Sequence, residues 1–258
     1  MTGFGDQVFQ LSRRSVVRTL RQPANIVSAL LFPMFLLAVN SGGLKAETHL
    51  PGFPTNSFVA FALAVPFIQG ALFATMNAGT DLARDIQTGF LSRLSLTPMR
   101  GIAVLAGQLG GVMALGLLQA FVYLTVGLII GVRLASGPAG VLVLFAFMIL
   151  VTLAFGAFGA FAALRTGSGE AVQSLFPVFF VFLFISSMNI PRNLIHATWF
   201  RDLATANPVS YLLEAVRSLI ILGWDGQALA LGFGLSTLLA IVALSLASWA
   251  LRVRMARS

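Results

Sequence analysis

Charged residues cut this chain into six long uncharged stretches, 22–44, 50–80, 101–132, 134–164, 171–191 and 226–251. Each exceeds the roughly 20 residues a helix needs to cross about 30 Å of hydrocarbon. The pattern predicts six transmembrane helices. The third and fourth stretches are longer than one span and too short for two, which predicts tilt and loop residues at their ends. The break between them, 133–138, is short and holds Gly and Pro, as an antiparallel helical hairpin requires.

Two further segments are patterned for a membrane surface. Near the start, Arg14, Arg18 and Arg21 recur at four- and three-residue steps, with Phe9, Val16 and Leu20 on the opposite side. This periodicity fits an interfacial amphipathic helix, and equally an ordinary positively charged anchor; both place it on the cytoplasmic surface. The charges ahead of the first apolar run, and the further spans after it, argue against a cleaved signal peptide. Between the fifth and sixth spans, Asn207-Pro208 supplies a helix cap and a first-turn proline whose missing N–H costs nothing. Val209, Leu212, Leu213, Val216, Leu219 and Ile220 then form one apolar stripe that ends at Gly223. That predicts a helix of roughly 15 residues, about 22 Å long. It is too short and, with Glu214 and Arg217, too charged to cross. It is expected to lie at the outer leaflet or dip into it, with Trp199 and Trp224 at the interface.

Composition agrees. Hydrophobic residues make up 58% of the 258 and charged residues 9%, against roughly 45–50% and about 25% in soluble domains. So much apolar surface needs lipid as its solvent. With no cysteine, disulfides and thiol chemistry are excluded, and His49 and His196 stand far apart in predicted loops. The net charge of +8 does not indicate nucleic acid, because the basic residues punctuate the ends of apolar runs. Counted over alternate loops, eleven fall on one side and five on the other, which predicts both termini in the cytoplasm. Of 16 basic residues all but Lys45 are Arg, a usage associated with high-GC bacteria, so the expected location is a bacterial inner membrane. The fold class predicted is all-α integral membrane: a single transmembrane domain with an amphipathic helix over 1–22, a six-span bundle over 23–251 and a cytoplasmic tail over 252–258.

No catalytic constellation emerges. There is no Gly-x4-Gly-Lys-Ser/Thr phosphate loop, and Arg165-Thr-Gly-Ser-Gly-Glu170 is too short, lacks Lys and reads as a tight cytoplasmic turn. Ion-coupled transporters usually keep ionisable residues at membrane depth. The spans here hold amides instead: Gln69, Asn77, Gln108, Gln119, Gln173 and Asn189. These either brace helices by hydrogen bonds or, for Gln69 and Asn77, face a substrate path. Small residues four apart, Gly107/Gly111, Gly127/Gly131 and Gly156/Ala160, predict close helix packing. The fifth stretch is dense in Phe, including Phe176 and Phe180, which suits either lipid contact or an aromatic substrate site.

The loop after the second span, 81–100, carries Asp81, Arg84, Asp85, Gly89, Phe90, Arg93, Leu94 and Pro98. It is expected to form a charged helical segment suited to docking a soluble partner. Its pattern (an acidic residue, Gly, an apolar pair, Arg-Leu, then Thr-Pro) resembles the type-2 ABC exporter permeases, particularly the daunorubicin-resistance-like drug exporters. Asn207-Pro-Val-Ser-Tyr211-Leu-Leu-Glu214-Ala-Val-Arg217 is similar to that family's segment before the last span. Asp85 stands where many members carry Glu, and Ser92 where an acidic residue often precedes the Arg. The resemblance implies a permease subunit, not itself an enzyme, that moves hydrophobic drugs or lipids outward. Two copies of a separate ATP-binding subunit would hold ATP and magnesium and dock on 81–100, with a smaller contact at the 166–170 turn. A second copy of this chain or a paralogue would complete the pathway within the membrane lipid. Gln69, Phe73, Asn77, Phe176 and Phe180 would line it, and the helix after Asn207 would cap its exit. The alternative from a different class is a stand-alone secondary transporter or channel, which intramembrane charge or inverted repeats would favour.

Overall fold

The computed structural model describes residues 3–95 and 101–255. All the regular structure among them is helical. Five continuous segments are long and apolar enough to cross a membrane. They are α2 (Pro23–Gly43), α3 (Phe58–Ala62) running into α4 (Ala64–Gln87), α6 (Gly101–Ile129), α7 (Gly137–Thr166) and α12 (Gly226–Met255), with α5 (Phe90–Ser95) between α4 and α6. The first span is preceded by α1 (Phe4–Leu20).

The fifth predicted span is divided into α8 (Gly169–Gln173) and α9 (Phe176–Phe184). Nine residues at about 1.5 Å each reach less than half the hydrocarbon thickness. Pro177 explains the division, since proline fits only in a helix's first turn. The chain then runs irregularly from Ser186 to Pro191. Irregular backbone is tolerated at membrane depth only where protein satisfies its polar groups. Here Ser187 N–H donates to Ser210 Oγ at 3.1 Å, and the carbonyls of Ser187 and Met188 accept from Arg217.

The helix α4 is the central element, with most of its length enclosed, whereas α2 and α12 expose much of their surface. Small residues set the approach distances. At Gly159 of α7 an added Cβ would overlap the carbonyl of Thr75, and at Gly79 of α4 it would meet the Gly159 carbonyl at 2.8 Å. Two backbones therefore touch at this crossing. Gly156 sits against Val112 and Ala160 is fully buried, as their spacing predicts. The Gly107/Gly111 pair also mediates packing, and its partner is α1: Leu11 lies on Gly107, Ser12 on Gly110 and Ser15 on Gly111. Gly127 and Gly131 do not act as a pair. Gly127 receives Leu63, but Gly131 lies beyond the end of α6 in an open turn with nothing close to it.

That seam carries a prediction. Gly111→Val would drive a branched side chain into the Ser15 backbone, 2.8 Å from the added Cβ. It is expected to lose about 1–3 kcal/mol by overpacking and to loosen α1. Since the chain has no cysteine, one cysteine placed at Ser15 reports this directly. Its labelling rate by a membrane-impermeant maleimide should rise severalfold in the variant; an unchanged rate means α1 is not seated on Gly111.

Between α9 and α12 come α10 (Thr198–Ala206) and α11 (Pro208–Arg217), extended by a π-helical turn, Ser218–Leu222. The predicted 15-residue helix is thus present over 208–222, and Gly223 ends it with φ of 95°, which glycine tolerates without strain. Its apolar stripe is buried with Phe58, Phe61, Phe67 and Phe147 in the main core cluster. The helix is inserted into the bundle instead of lying flat on its surface. Trp199 and Trp224 are exposed on either side of it.

Candidate functional site

The charged end of α4 is an internal clamp. Both acidic residues predicted to meet a partner, Asp81 and Asp85, turn inward and are buried against α1. Arg14 grips Asp85 with two hydrogen bonds, 3.2 and 3.0 Å, and Arg18 adds a third at 2.8 Å. Arg18 also pairs with the Asp81 carboxylate at 3.2 Å and donates to the Asp81 carbonyl, while Gln22 donates to Asp81 Oδ1 at 3.1 Å. Spacing explains the fit: Arg14/Arg18 and Asp81/Asp85 are each four apart, so each pair projects from one face of its helix. That match of steps was a signal in the sequence, but nothing in the sequence alone says that the two faces meet.

Gly89 lies in the middle of the predicted docking segment. With φ of 69° it terminates α4, its N–H bonding the Ile86 carbonyl, and lets α5 start at Phe90. Phe90 is half-buried beneath Arg14, whose guanidinium carbon stands 3.9 Å from the ring centre. Arg84 and Arg93 are exposed, and Arg93 donates to the Thr88 carbonyl at 3.3 Å. Leu94 lies on α5; Thr97, Pro98 and Arg100 lie outside the described residues.

The second predicted contact, 166–170, sits beside the first. Gln87 at the end of α4 donates to the Gly167 carbonyl at 3.2 Å, and Ser168 caps α8 through the Ala171 N–H. Arg254, near the end of α12, donates to the Leu164 carbonyl. The ends of α4, α7 and α12 thus meet α5 and α8 in one platform, whose exposed polar residues include Arg84, Gln87, Thr88 and Arg93 and, at the turn, Arg165, Thr166 and Glu170. Sequence reasoning missed Arg14, Arg18, Gln22 and Arg254 as parts of it.

Of the predicted pathway residues, three meet. Phe73 and Phe176 lie 5.3 Å apart between ring centres, and Phe176 and Phe180 lie 4.4 Å apart. Phe32 of α2 joins them, and an apolar groove of about 560 Å³ opens here between α2, Phe73 and Phe176. Asn77 is half-buried one turn below Phe73. Gln69 does not line the groove. It is fully enclosed, and neither amide atom has a hydrogen-bond partner among the described residues, as also for Gln119.

The polar residues predicted along the 208–222 helix are engaged. Asn207 Oδ1 accepts from the Val209 N–H at 2.9 Å, capping α11 ahead of Pro208, and its Nδ2 donates to the Phe182 carbonyl. Tyr211 donates to the Thr205 carbonyl at 2.8 Å. Glu214 holds Arg192 in a two-bond pair at 2.7 and 2.6 Å, and Arg192 also stacks over Tyr211. Burial opposes the Arg192 charge, but Glu214 and Tyr211 outweigh it and raise its pKa. Arg217 is buried and donates to three carbonyls, those of Phe61, Ser187 and Met188, at 3.1, 2.6 and 2.6 Å.

No cluster of potential metal ligands occurs among the described residues. Comparison with known proteins bears on most of the chain. The sequence model of the family described as "ABC-2 type transporter" matches residues 6–221. The daunorubicin resistance ABC transporter permease protein DrrB1 of Streptomyces coeruleorubidus is 28% identical over 77% of this chain and 69% of its own. Two ycf38 proteins, described as transport permeases, are similar as well. That of Cyanophora paradoxa is 22% identical over 84% of this chain and 74% of its own. That of Pyropia yezoensis is 25% identical over 83% and 73%.

Proposed function

The chain belongs to the ABC-2 type transporter family, as a multi-pass membrane subunit that relies on a separate ABC subunit for ATP hydrolysis, and from that premise we propose what it carries and how it is driven. The cargo is a hydrophobic drug or lipid, moved outward across a bacterial inner membrane. The observation that carries this is the aromatic groove of Phe32, Phe73 and Phe176, open on the apolar flank of α2. An apolar or planar cargo gains from such rings both by burial and by stacking. The relative named for daunorubicin resistance supports the drug reading. The position of Gln69 inside the packed core argues for leaving it out of the path.

Both termini face the cytoplasm in this reading, with 1–22 on the inner membrane surface, 23–251 as the bundle and 252–258 as a tail. Two ATP-binding subunits, holding ATP and magnesium, dock beneath two copies of this chain or this chain and a paralogue. Contact is made through Gln87, Thr88, Phe90, Arg93 and the 166–170 turn. Asp81 and Asp85 act one step back, holding that surface against α1. The outer helix around Tyr211 and Glu214 borders the exit.

Mild detergent purification of the tagged chain from its host, followed by mass spectrometry and an ATPase assay, tests this. A stoichiometric ATP-binding subunit is expected, and Arg93→Ala should reduce its recovery severalfold. Phe73→Ala with Phe176→Ala should retain the subunit but slow daunorubicin export from vesicles roughly tenfold, about 0.5–1.5 kcal/mol for each ring contact. A chain that transports alone, without ATPase activity, returns the secondary-transporter reading.

A further inference from the structure

The face of α1 turned away from α6 holds an unusual concentration of positive charge. A pocket of about 620 Å³ is lined by Arg13, Arg14, Arg18 and Arg21 of α1 with Arg84 of α4, and Gln22 borders it. Arg18 and Arg14 are committed to Asp81 and Asp85. Arg13, Arg21 and Arg84 are exposed and form no ion pair with a described residue. Two carboxylates therefore serve five guanidinium groups, and the pocket keeps a net positive charge. Guanidinium forks suit phosphate oxygens. Phe9 and Val17 are exposed and each stands four residues from Arg13, so apolar surface and guanidinium groups share one face of α1 at the pocket. Apolar surface next to a basic pocket is complementary to an acyl chain and its charged headgroup.

We propose that this pocket is a binding site for the phosphate headgroup of an anionic phospholipid of the inner leaflet, seated between α1 and the charged end of α4. The site rests on the reading that α1 lies on the cytoplasmic membrane surface. Bound there, the headgroup balances the surplus charge next to the Asp81–Asp85 clamp, so the lipid composition of the inner leaflet sets how firmly α1 is held against the segment that meets the ATP-binding subunit.

Native mass spectrometry of the full chain, with any subunit that accompanies it, provides the test. The delipidated protein is titrated separately with dioleoyl phosphatidylglycerol, dioleoyl phosphatidylcholine and inorganic phosphate. Phosphatidylglycerol is expected to bind roughly tenfold tighter than phosphatidylcholine, and Arg13→Gln with Arg21→Gln should remove about that factor. Arg13→Lys with Arg21→Lys should keep most of it, since charge is retained, and this separates loss of the site from loss of the fold. Equal binding of the two lipids, or no effect of the Gln variant, overturns the proposal. Tight binding of inorganic phosphate alone reassigns the pocket to a soluble anion. A Gln variant that sheds the ATP-binding subunit while binding phosphatidylglycerol as before assigns these arginines to protein docking. Absence of an ATP-binding subunit from every preparation bears on the transporter reading and leaves the lipid titration readable.

Discussion

Asp85→Ala is expected to detach α1 from the bundle and to remove about 3 kcal/mol of stability, the low end of what breaking a buried ion pair costs. The Asp85 side chain is 8% exposed and accepts from both Arg14 and Arg18. Removing it leaves Arg18, itself 17% exposed, with a buried charge that Asp81 alone must balance. Arg14 is 40% exposed, so water takes over part of its loss, which is why the higher end of the range does not apply. Asp85→Asn keeps the shape and one acceptor but no charge, and is expected to fall between the two. Amide hydrogen exchange over residues 4–20 is the direct measurement, with large deprotection in Asp85→Ala and little in Arg84→Ala or Arg93→Ala. Those two exposed positions should change stability by no more than about 0.5 kcal/mol. Recovery of the ATP-binding subunit separates two roles. If Asp85 touched the partner, its loss would reduce recovery while α1 stayed protected. The inward geometry requires the reverse order: α1 loosens first, and any loss of the partner follows from it.

Much of the fold was legible because lipid simplifies the code. Uncharged runs mark spans, and α2, α6, α7 and α12 fall inside or close to the stretches their charges delimit. Asn207-Pro208 and Gly223 bounded the 208–222 helix to the residue, since capping and left-handed backbone are local chemistry. Depth and partnership are not local. The apolar stripe of 209–220 suits a helix on a surface as well as one inside a bundle, and only the neighbours Phe61, Phe147 and Ala215 against Gly232 decide between them. Gly107 and Gly111 announced a close contact but not that an amphipathic helix, α1, would fill it. The division of the fifth span was readable in Pro177, where uncharged length alone suggested continuity. At the candidate site, Asp81 and Asp85 read as docking charges because a loop between spans is expected to be wet. The four-residue step shared with Arg14 and Arg18 held the contrary signal.

Arg217→Ala is expected to be the more damaging substitution, costing about 4 kcal/mol or more. The guanidinium is buried, and its three hydrogen bonds go to backbone carbonyls that no helix ladder serves: Phe61 before the break between α3 and α4, and Ser187 and Met188 after α9. Its charge also stands over the Phe61 ring, 3.5 Å from the centre. A carbonyl left without a donor away from water costs about 1–3 kcal/mol, and here three lose theirs together. The same cation thus closes two interruptions in otherwise membrane-spanning helices and ties both to α11. At roughly 2–4 °C per kcal/mol for a chain of this size, the melting midpoint in detergent should fall by about 10 °C. Lys reaches fewer carbonyls from a single ammonium, so Arg217→Lys should fall partway. Arg217→Met retains apolar bulk but supplies no donor, and should resemble Ala. Its neighbour pair behaves differently: Glu214 and Arg192 are 27% and 23% exposed, and Glu214→Gln is expected to cost under about 1 kcal/mol. A melting midpoint for Arg217→Ala within about 2 °C of the parent would mean that water or a neighbouring group satisfies those carbonyls, and the broken ends of α3 and α9 would then need another brace.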